Sequence, residues 1–409
     1  MAATESKAGA KAKAKENKPK ASTNRRNDPF WLVLLPILGV LVVGLGPTLY
    51  SYGWRTFVPT GLKTLELDAD TWLNDVLPSR TFVFVAGHHR GGTTLLWEIL
   101  REHPDIGAFG SQQDTGVDKS EGVFLQDLLP TFGVGAEITW LHRIGASKKT
   151  MKGVGTYAIP GYNAVAWNEV NQREKVTLPN LVQLLNQWGY FWKTSGGWNK
   201  HYWIEKTPTN VVLSRFIQAL FDQKLDVEQG INNPEVPWPV PRESRTKFVF
   251  MTRHPLANAL AHKKWGNAKH LKLETLIQNW LSISEIMTED CKHLKNCLFV
   301  RLEDLASNPD QEVSRIVSFL GLPDFKWSTQ VYPDPNTKYA DEYCKAQAGL
   351  GEESSRAILD HFMLVQKYGP QVKQFGYNLE EWPCLADAHE LLAQKMNRLA
   401  EQEKRKEEL

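Results

Sequence analysis

This sequence lacks an excess of either charge. Its 48 Lys and Arg nearly balance its 46 Asp and Glu, and a net charge of +2 offers no polycationic surface, so no nucleic-acid partner is expected. Cysteine is scarce, with only Cys291, Cys297, Cys344 and Cys384 in 409 residues. That excludes a disulfide-dense scaffold but permits one or two bridges. Cys291 and Cys297 are close enough in sequence to pair, buried free thiols being the alternative. There is no N-x-[ST] sequon, no internal repeat, and no His/Cys/Asp spacing of a closed ligand set, so no metal is expected. One stretch, Phe30 to Tyr50, has no charge at all and is long enough to cross a hydrocarbon core. Pro36 and the glycines within it are tolerable in a membrane helix. Basic residues from Lys7 to Arg26 precede it, which places the N-terminus in the cytoplasm and the rest in a lumen. No clear small-x-small cleavage site follows, so an uncleaved anchor is expected rather than a signal peptide. Residues 1–29 then form a Lys- and Ala-rich disordered tail, and residues 51–80 a short stem.

What remains has the composition of a globular protein, 42% hydrophobic and 23% charged. Within it, TFVFVAGHHRGGTTLLWEILREH (81–103) predicts a buried strand over Thr81–Ala86, a glycine-containing turn, and a helix over Thr93–Arg101. Strand, Gly-rich turn and helix start together make an anion cradle, in which backbone N–H groups and the helix N-terminus face the ligand. Arg90 adds a forked cation, and Thr93 and Thr94 add hydroxyl donors. Gly87 and Gly92 have Walker A spacing, but Thr93 stands where that motif requires lysine, which argues against a nucleoside triphosphatase. A second apolar strand, KFVFMT (247–252), runs into Arg253, with Pro255 at a new helix start. An arginine at a strand's carboxyl end beside a helix start is a second anion site.

These two anion sites resemble those of the sulfotransferases that use 3′-phosphoadenosine-5′-phosphosulfate (PAPS). RGGTT (90–94) is similar to the family's R-x-G-T-T core, and RHP (253–255) to its R-[DN]-P segment. HPDI (103–106) follows the first helix at the family's usual distance. WIEKTPTN (203–210), VRLEDLASNP (300–309) and FGYNLEEW (375–382) resemble further segments of Golgi-type members, in the family's order. The resemblance implies an α/β, P-loop-like fold with a central parallel sheet flanked by helices, behind an N-terminal transmembrane helix. The catalytic domain would span 81–385, followed by a charged C-terminal helix over 386–409 that is exposed or oligomerising and would allow a homodimer. The implied activity is transfer of a sulfuryl group from PAPS to a hydroxyl or amine of a glycan, peptide or lipid, in the Golgi lumen. A kinase or NTPase on the same scaffold, or a non-catalytic protein retaining the fold, are the alternatives.

The resemblance also implies roles. Arg90, Gly91, Gly92, Thr93 and Thr94 would hold the 5′-phosphosulfate, Arg253 the 3′-phosphate, and Lys338 would cover the cofactor. Where the family usually has a phosphate-binding serine this chain has Ala261, which leaves Asn258 or His262 to replace it. Lys206 would meet the leaving oxygen, the alternative being a surface lysine beside Glu205. The family's base glutamate is replaced by Ser111–Gln113, so the base must come from elsewhere. Glu121 is the first choice and Asp114 the second, with Glu98, Glu205, His88 and His89 behind them. Glu121 reads equally as the cap of a helix starting near Gly122. Trp188, Tyr190, Trp192 and Trp198 could form a sugar- or lipid-binding wall, or simply pack a core. Residues 227–245 read as a Pro-rich insertion, 271–291 as an amphipathic helix, and 332–343 as a polar loop.

Overall fold

The strand over Thr81–Gly87 carries no charge because both of its faces are covered. In the computed structural model, which describes residues 62–132, 153–161, 164–223, 244–265, 268–348, 352–382 and 397, it is the middle strand of a five-stranded sheet. The strands are β1 (Thr81–Gly87), β2 (Ile106–Ala108), β3 (Tyr202–Lys206), β4 (Thr246–Thr252) and β5 (Cys297–Arg301). The principal helices are α1 (Thr93–Leu100), α2 (Leu178–Thr194), α3 (Ser214–Phe221), α4 (Pro255–Lys263), α5 (Leu273–Cys291), α6 (Leu302–Ser307), α7 (Pro309–Leu320), α8 (Thr337–Ala348) and α9 (Glu352–Lys373). The sheet order is β2-β3-β1-β4-β5, and every pairing is parallel.

Alternation along the strands sorts the core into two layers. Phe82, Phe84, Trp203, Phe248 and Phe250 face α2 and α3 in an aromatic layer. Val83, Val85, Val249 and Met251 face α1 and α7 in an aliphatic one. A third cluster joins α4 and α5 to α8, α9, Tyr377 and Trp382.

The structure bears on several expectations. The aromatic run is a 17-residue helix, α2, and Trp188 and Trp192 are fully buried in the aromatic layer, Tyr190 and Trp198 being partly buried against it. These rings are core, because a strand face of Phe and Trp needs an equally large facing surface. Residues 62–80, expected in a stem, pack on the domain: Trp72 is fully buried, and its Nε1–H donates to Asn186 at 2.9 Å. The expected polar loop over 332–343 contains the start of α8 at Thr337. Cys291 and Cys297 form a disulfide that links the end of α5 to the start of β5. The expected tail (1–29), membrane span (30–50) and most of the Pro-rich insertion lie outside the described residues, as does the C-terminal helix apart from Asn397. Among the described residues no helix is long and apolar enough to cross a membrane.

Candidate active site

From β1 the chain moves to one side to form β2 and β3, then crosses to the other side to form β4 and β5. The carboxyl ends of β3, β1 and β4 therefore flank a topological switch point, where open parallel sheets bind their ligands. The register places the turn after β1 between Lys206 and Arg253, since Val85 pairs with Lys206 and Gly87 with Met251.

That turn is the expected cradle. Gly87 has φ +130°, and a Cβ on it would lie 2.1 Å from the Met251 carbonyl oxygen, so only glycine lets β1 turn here beside β4. Arg90 has φ +63°, a left-handed conformation that costs a non-glycine residue stability and is characteristic of ligand-binding turns. Its side chain is exposed and stacks over Trp265 at 5.3 Å. The first bond of α1 runs from the Leu96 N–H to the Gly92 carbonyl, so the N–H groups of Thr93, Thr94 and Leu95 have no intrahelical acceptor. Thr93 is buried and Thr94 half-buried.

Two side chains grip this turn from behind. Asn258 Nδ2 donates to the His89 carbonyl at 2.7 Å, and Arg253 Nη1 donates to the Arg90 carbonyl at 3.0 Å. In a trans peptide the N–H points opposite to the C=O, so tying back the His89 carbonyl turns the Arg90 N–H away from α4. Arg253 is buried; its Nε donates to Asn336 at 2.8 Å, its Nη2 to Pro335 at 2.5 Å, and its guanidinium lies 4.9 Å from the Tyr339 ring. Lys338 is exposed on the first turn of α8 and lies over the same ring at 4.9 Å. Ala261 is fully buried among the apolar residues of α4 and α5 and supplies no polar group. Arg253 and Asn258 thus have a structural duty, shaping the cradle, that sequence reasoning did not assign them.

Lys206 ends β3 and is completely buried; its Nζ meets Glu121 Oε1 at 3.0 Å. The two residues are far apart in sequence, and the fold makes them a pair. Glu121 precedes the short 3₁₀ turn Gly122–Phe124 but does not cap it, its carboxylate going to the lysine instead. Asp114 is exposed and serves as a cap: Oδ2 accepts from the Ser111 N–H at 2.7 Å and Ser111 Oγ at 2.8 Å, which hold its carboxyl below the usual range. Glu98 is exposed on α1. Glu205 is fully buried and accepts from the Gly122 N–H, Thr207 and Asn210. Burial pushes its carboxyl up to about 7, opposed by the hydrogen bonds of Thr207 and Gly122 and the charge of Lys206.

Three buried imidazoles line the other side. His88 Nε2–H donates to the Trp280 carbonyl at 3.1 Å and its ring stacks on Trp280 at 4.9 Å; burial lowers its pKa to about 3. His262 Nδ1–H donates to the Asn258 carbonyl at 2.8 Å, and burial lowers its pKa to about 4. His89 is held well below its ordinary value by burial first, then by His262, Lys206 and Arg90. Its ring lies 5.7 Å from Tyr157 and 6.4 Å from His262. His89 Nδ1, His262 Nε2 and the Tyr157 hydroxyl are buried and have no hydrogen-bond partner among the described residues. Glu121 is close enough to Tyr157 to raise its pKa beyond the effect of burial. Buried polar atoms are nearly always paired, so these unpaired ones, together with the open N–H groups of α1, fit a polar anionic ligand and its acceptor. Among the described residues no group of three or more His, Cys, Asp or Glu is arranged to hold a metal ion.

Fold and site together define a parallel α/β protein with an anion cradle at its switch point. Residues 245–327, from the start of β4 to beyond α7, match the family model described as the sulfotransferase family. That stretch contains Arg253, Asn258 and Ala261 but neither the cradle nor Lys206. No curated protein matches the chain. Among solved structures, the chain is similar to the sulfotransferase domain of the Synechococcus PCC 7002 olefin synthase, at 18% identity over 63% of this chain and 82% of that one, with a TM-score of 0.33. It is also similar to a sulfotransferase from Alicyclobacillus acidocaldarius, at 16% identity over 65% and 90%, with a TM-score of 0.34. A third similar structure is retinol dehydratase in complex with retinol and PAP, at 13% identity over 69% and 70%, with a TM-score of 0.24.

Proposed function

We propose that the protein transfers a sulfuryl group from PAPS to a hydroxyl or amine of a glycan, peptide or lipid. The observation that carries this reading is the meeting of the Arg90–Thr94 cradle, the buried Lys206–Glu121 pair and Arg253 at the carboxyl ends of three adjacent strands. The sulfotransferase-family match over 245–327 supports it independently of the cradle.

When bound, PAPS supplies the sulfuryl group, its sulfur–oxygen bond breaking as the bond to the acceptor oxygen or nitrogen forms. The N–H groups of α1, Thr93, Thr94 and Arg90 hold the 5′ end of the donor. Arg253 and Lys338 attract the 3′-phosphate, with Asn258 fixing the loop between the two ends. Glu121 takes the acceptor's proton. As its charge is neutralised, Lys206 is released from its carboxylate partner and stabilises the oxygen on which charge accumulates. Such sulfuryl transfer needs positioning and charge stabilisation, as phosphoryl transfer does.

Titration with PAP and with ATP tests the donor class. PAP should bind far more tightly, and preference for ATP would overturn the reading. Arg90→Ala should lower PAPS turnover by roughly 10²-fold, as loss of a single oxyanion-stabilising donor does. Near-normal kinetics in that variant would remove Arg90 from the site.

We further propose a Golgi membrane location with a single N-terminal anchor and a lumenal domain. The uncharged Phe30–Tyr50 run, its basic flank and the Cys291–Cys297 disulfide support an oxidising lumen. Protease treatment of sealed microsomes should leave the domain intact until detergent is added; digestion without detergent would reverse the topology.

A further inference from the structure

Glu205 is a fully buried carboxylate on the aromatic face of the sheet, and the proposed chemistry gives it no role. Its partners are specific. Oε1 accepts from the Gly122 N–H at 2.8 Å and from Thr207 Oγ1 at 2.5 Å, while Oε2 accepts from Asn210 Nδ2 at 2.5 Å. Thr207 Oγ1 in turn accepts from the Val123 N–H at 3.1 Å, and Trp188 Nε1–H donates to the Gly122 carbonyl at 2.9 Å. A Cβ at position 122 would lie 2.5 Å from Glu205 Oε1, so the approach is as close as glycine allows. Three backbone groups of two consecutive residues are thereby taken by side chains from β3, the turn after it and α2.

The residue before this docked pair is Glu121. Neighbouring residues of the segment, Glu121 and Gly122, are held by neighbouring residues of β3, Lys206 and Glu205. Consecutive strand side chains leave on opposite faces, so the segment straddles the carboxyl end of β3. We propose that Glu205 is a positioning residue: it docks the Glu121–Val123 segment on the strand end and so fixes the Glu121 carboxylate against Lys206. The inference rests on the sulfotransferase reading for its catalytic consequence, but not for the docking itself.

The donor set suits a carboxylate, which accepts from all three groups. It also predicts which substitution is tolerated. Asn210 Oδ1 is buried without a partner among the described residues, so if the Asn210 amide turns over, it can accept from the new amide in Glu205→Gln while the remaining oxygen still serves Gly122 and Thr207. Glu205→Ala has no such recourse.

The test uses the full chain and three readouts: hydrogen exchange of the Gly122 and Val123 amides, PAP affinity, and release of labelled sulfate from PAPS with water as acceptor. In Glu205→Ala, exchange at those two amides should rise at least tenfold. Sulfate release should fall by roughly 10²-fold, the cost of misplacing a reacting group by about an ångström, with PAP affinity within about threefold of wild type. Glu205→Gln should restore both exchange and turnover to within about threefold. Unchanged exchange in Glu205→Ala, or equal losses in the alanine and glutamine variants, would overturn the proposal. Should Glu205→Ala fail to fold, Thr207→Val and its rescue Thr207→Ser report on the same docking, and a Thr207→Val protein with wild-type exchange at Val123 counts against it. A wild type that neither binds PAP nor releases sulfate overturns the enzymatic reading, while the exchange pattern still decides whether Glu205 docks the segment.

Discussion

At the scale of single residues, three acidic side chains that the sequence ranks as candidate bases, Glu121 first, Asp114 second and Glu205 behind them, are separated by their partners. Glu121 lies on Lys206, Asp114 is committed to Ser111, and Glu205 is buried under backbone and side-chain donors. The expected kinetics differ accordingly. Lys206→Ala should lower kcat more than it raises KM, because the ammonium acts on charge that appears only in the transition state. Glu121→Gln should also lose kcat. Asp114→Asn should keep its kcat and show only a small fall in melting temperature from the altered cap. Steady-state kinetics of the three variants decide the matter, and an inactive Asp114→Asn enzyme beside an active Glu121→Gln enzyme would exchange their roles.

At the scale of elements, the cradle depends on β4 as much as on its own strand. Gly87 abuts the backbone of Met251, and the carbonyls of His89 and Arg90 are held by Asn258 and Arg253 from beyond β4. Gly87→Ala should therefore destabilise the fold by about 2 kcal/mol or more, since positive φ and a backbone clash act together. Denaturant unfolding measures this, and a loss under about 0.5 kcal/mol would mean that the turn has an alternative conformation. The strand–turn–helix, Arg253 and the Pro255 helix start were legible in sequence because local signals specify them: an apolar run, a glycine turn, a proline at the first helical position. The role of α2 was not legible. Its tryptophans suit a binding wall and a core equally well, and only the facing Phe82, Phe84 and Trp203 distinguish the two.

For the molecule as a whole, five buried imidazoles bear on acid stability. Burial lowers His88 to about 3 and His262 and His361 to about 4, and also depresses His89 and His254. Their unfolded counterparts take up protons below about 6.5, whereas the folded ones stay neutral. Their contribution is thus fully present above pH 6.5 and is lost as the pH falls towards 4. Glu205, raised to about 7, and Asp290, raised to about 6, act the other way, favouring the folded state as the pH falls through those values. His88→Phe keeps an aromatic ring against Trp280 and removes one titrating group. It should flatten the slope of stability against pH between 6.5 and 4 by up to about 1.4 kcal/mol per pH unit. Equilibrium unfolding across that range checks it, and an unchanged slope would mean that His88 is not held neutral.

The sequence by itself determined the cradle and the second strand with its arginine, because hydrophobic period, glycine and proline act within a few residues of where they stand; the parallel α/β plan came from the resemblance to the sulfotransferases. Only the tertiary structure decided that Glu121 meets Lys206, that Glu205 and Thr207 hold the segment carrying Glu121, and that Arg253 and Asn258 brace the cradle from behind. Each of these contacts joins residues brought together by the parallel pairing of strands distant in sequence. A charged or polar side chain does not record which strand end it will meet, and its chemistry is fixed by burial and by the donors that burial supplies.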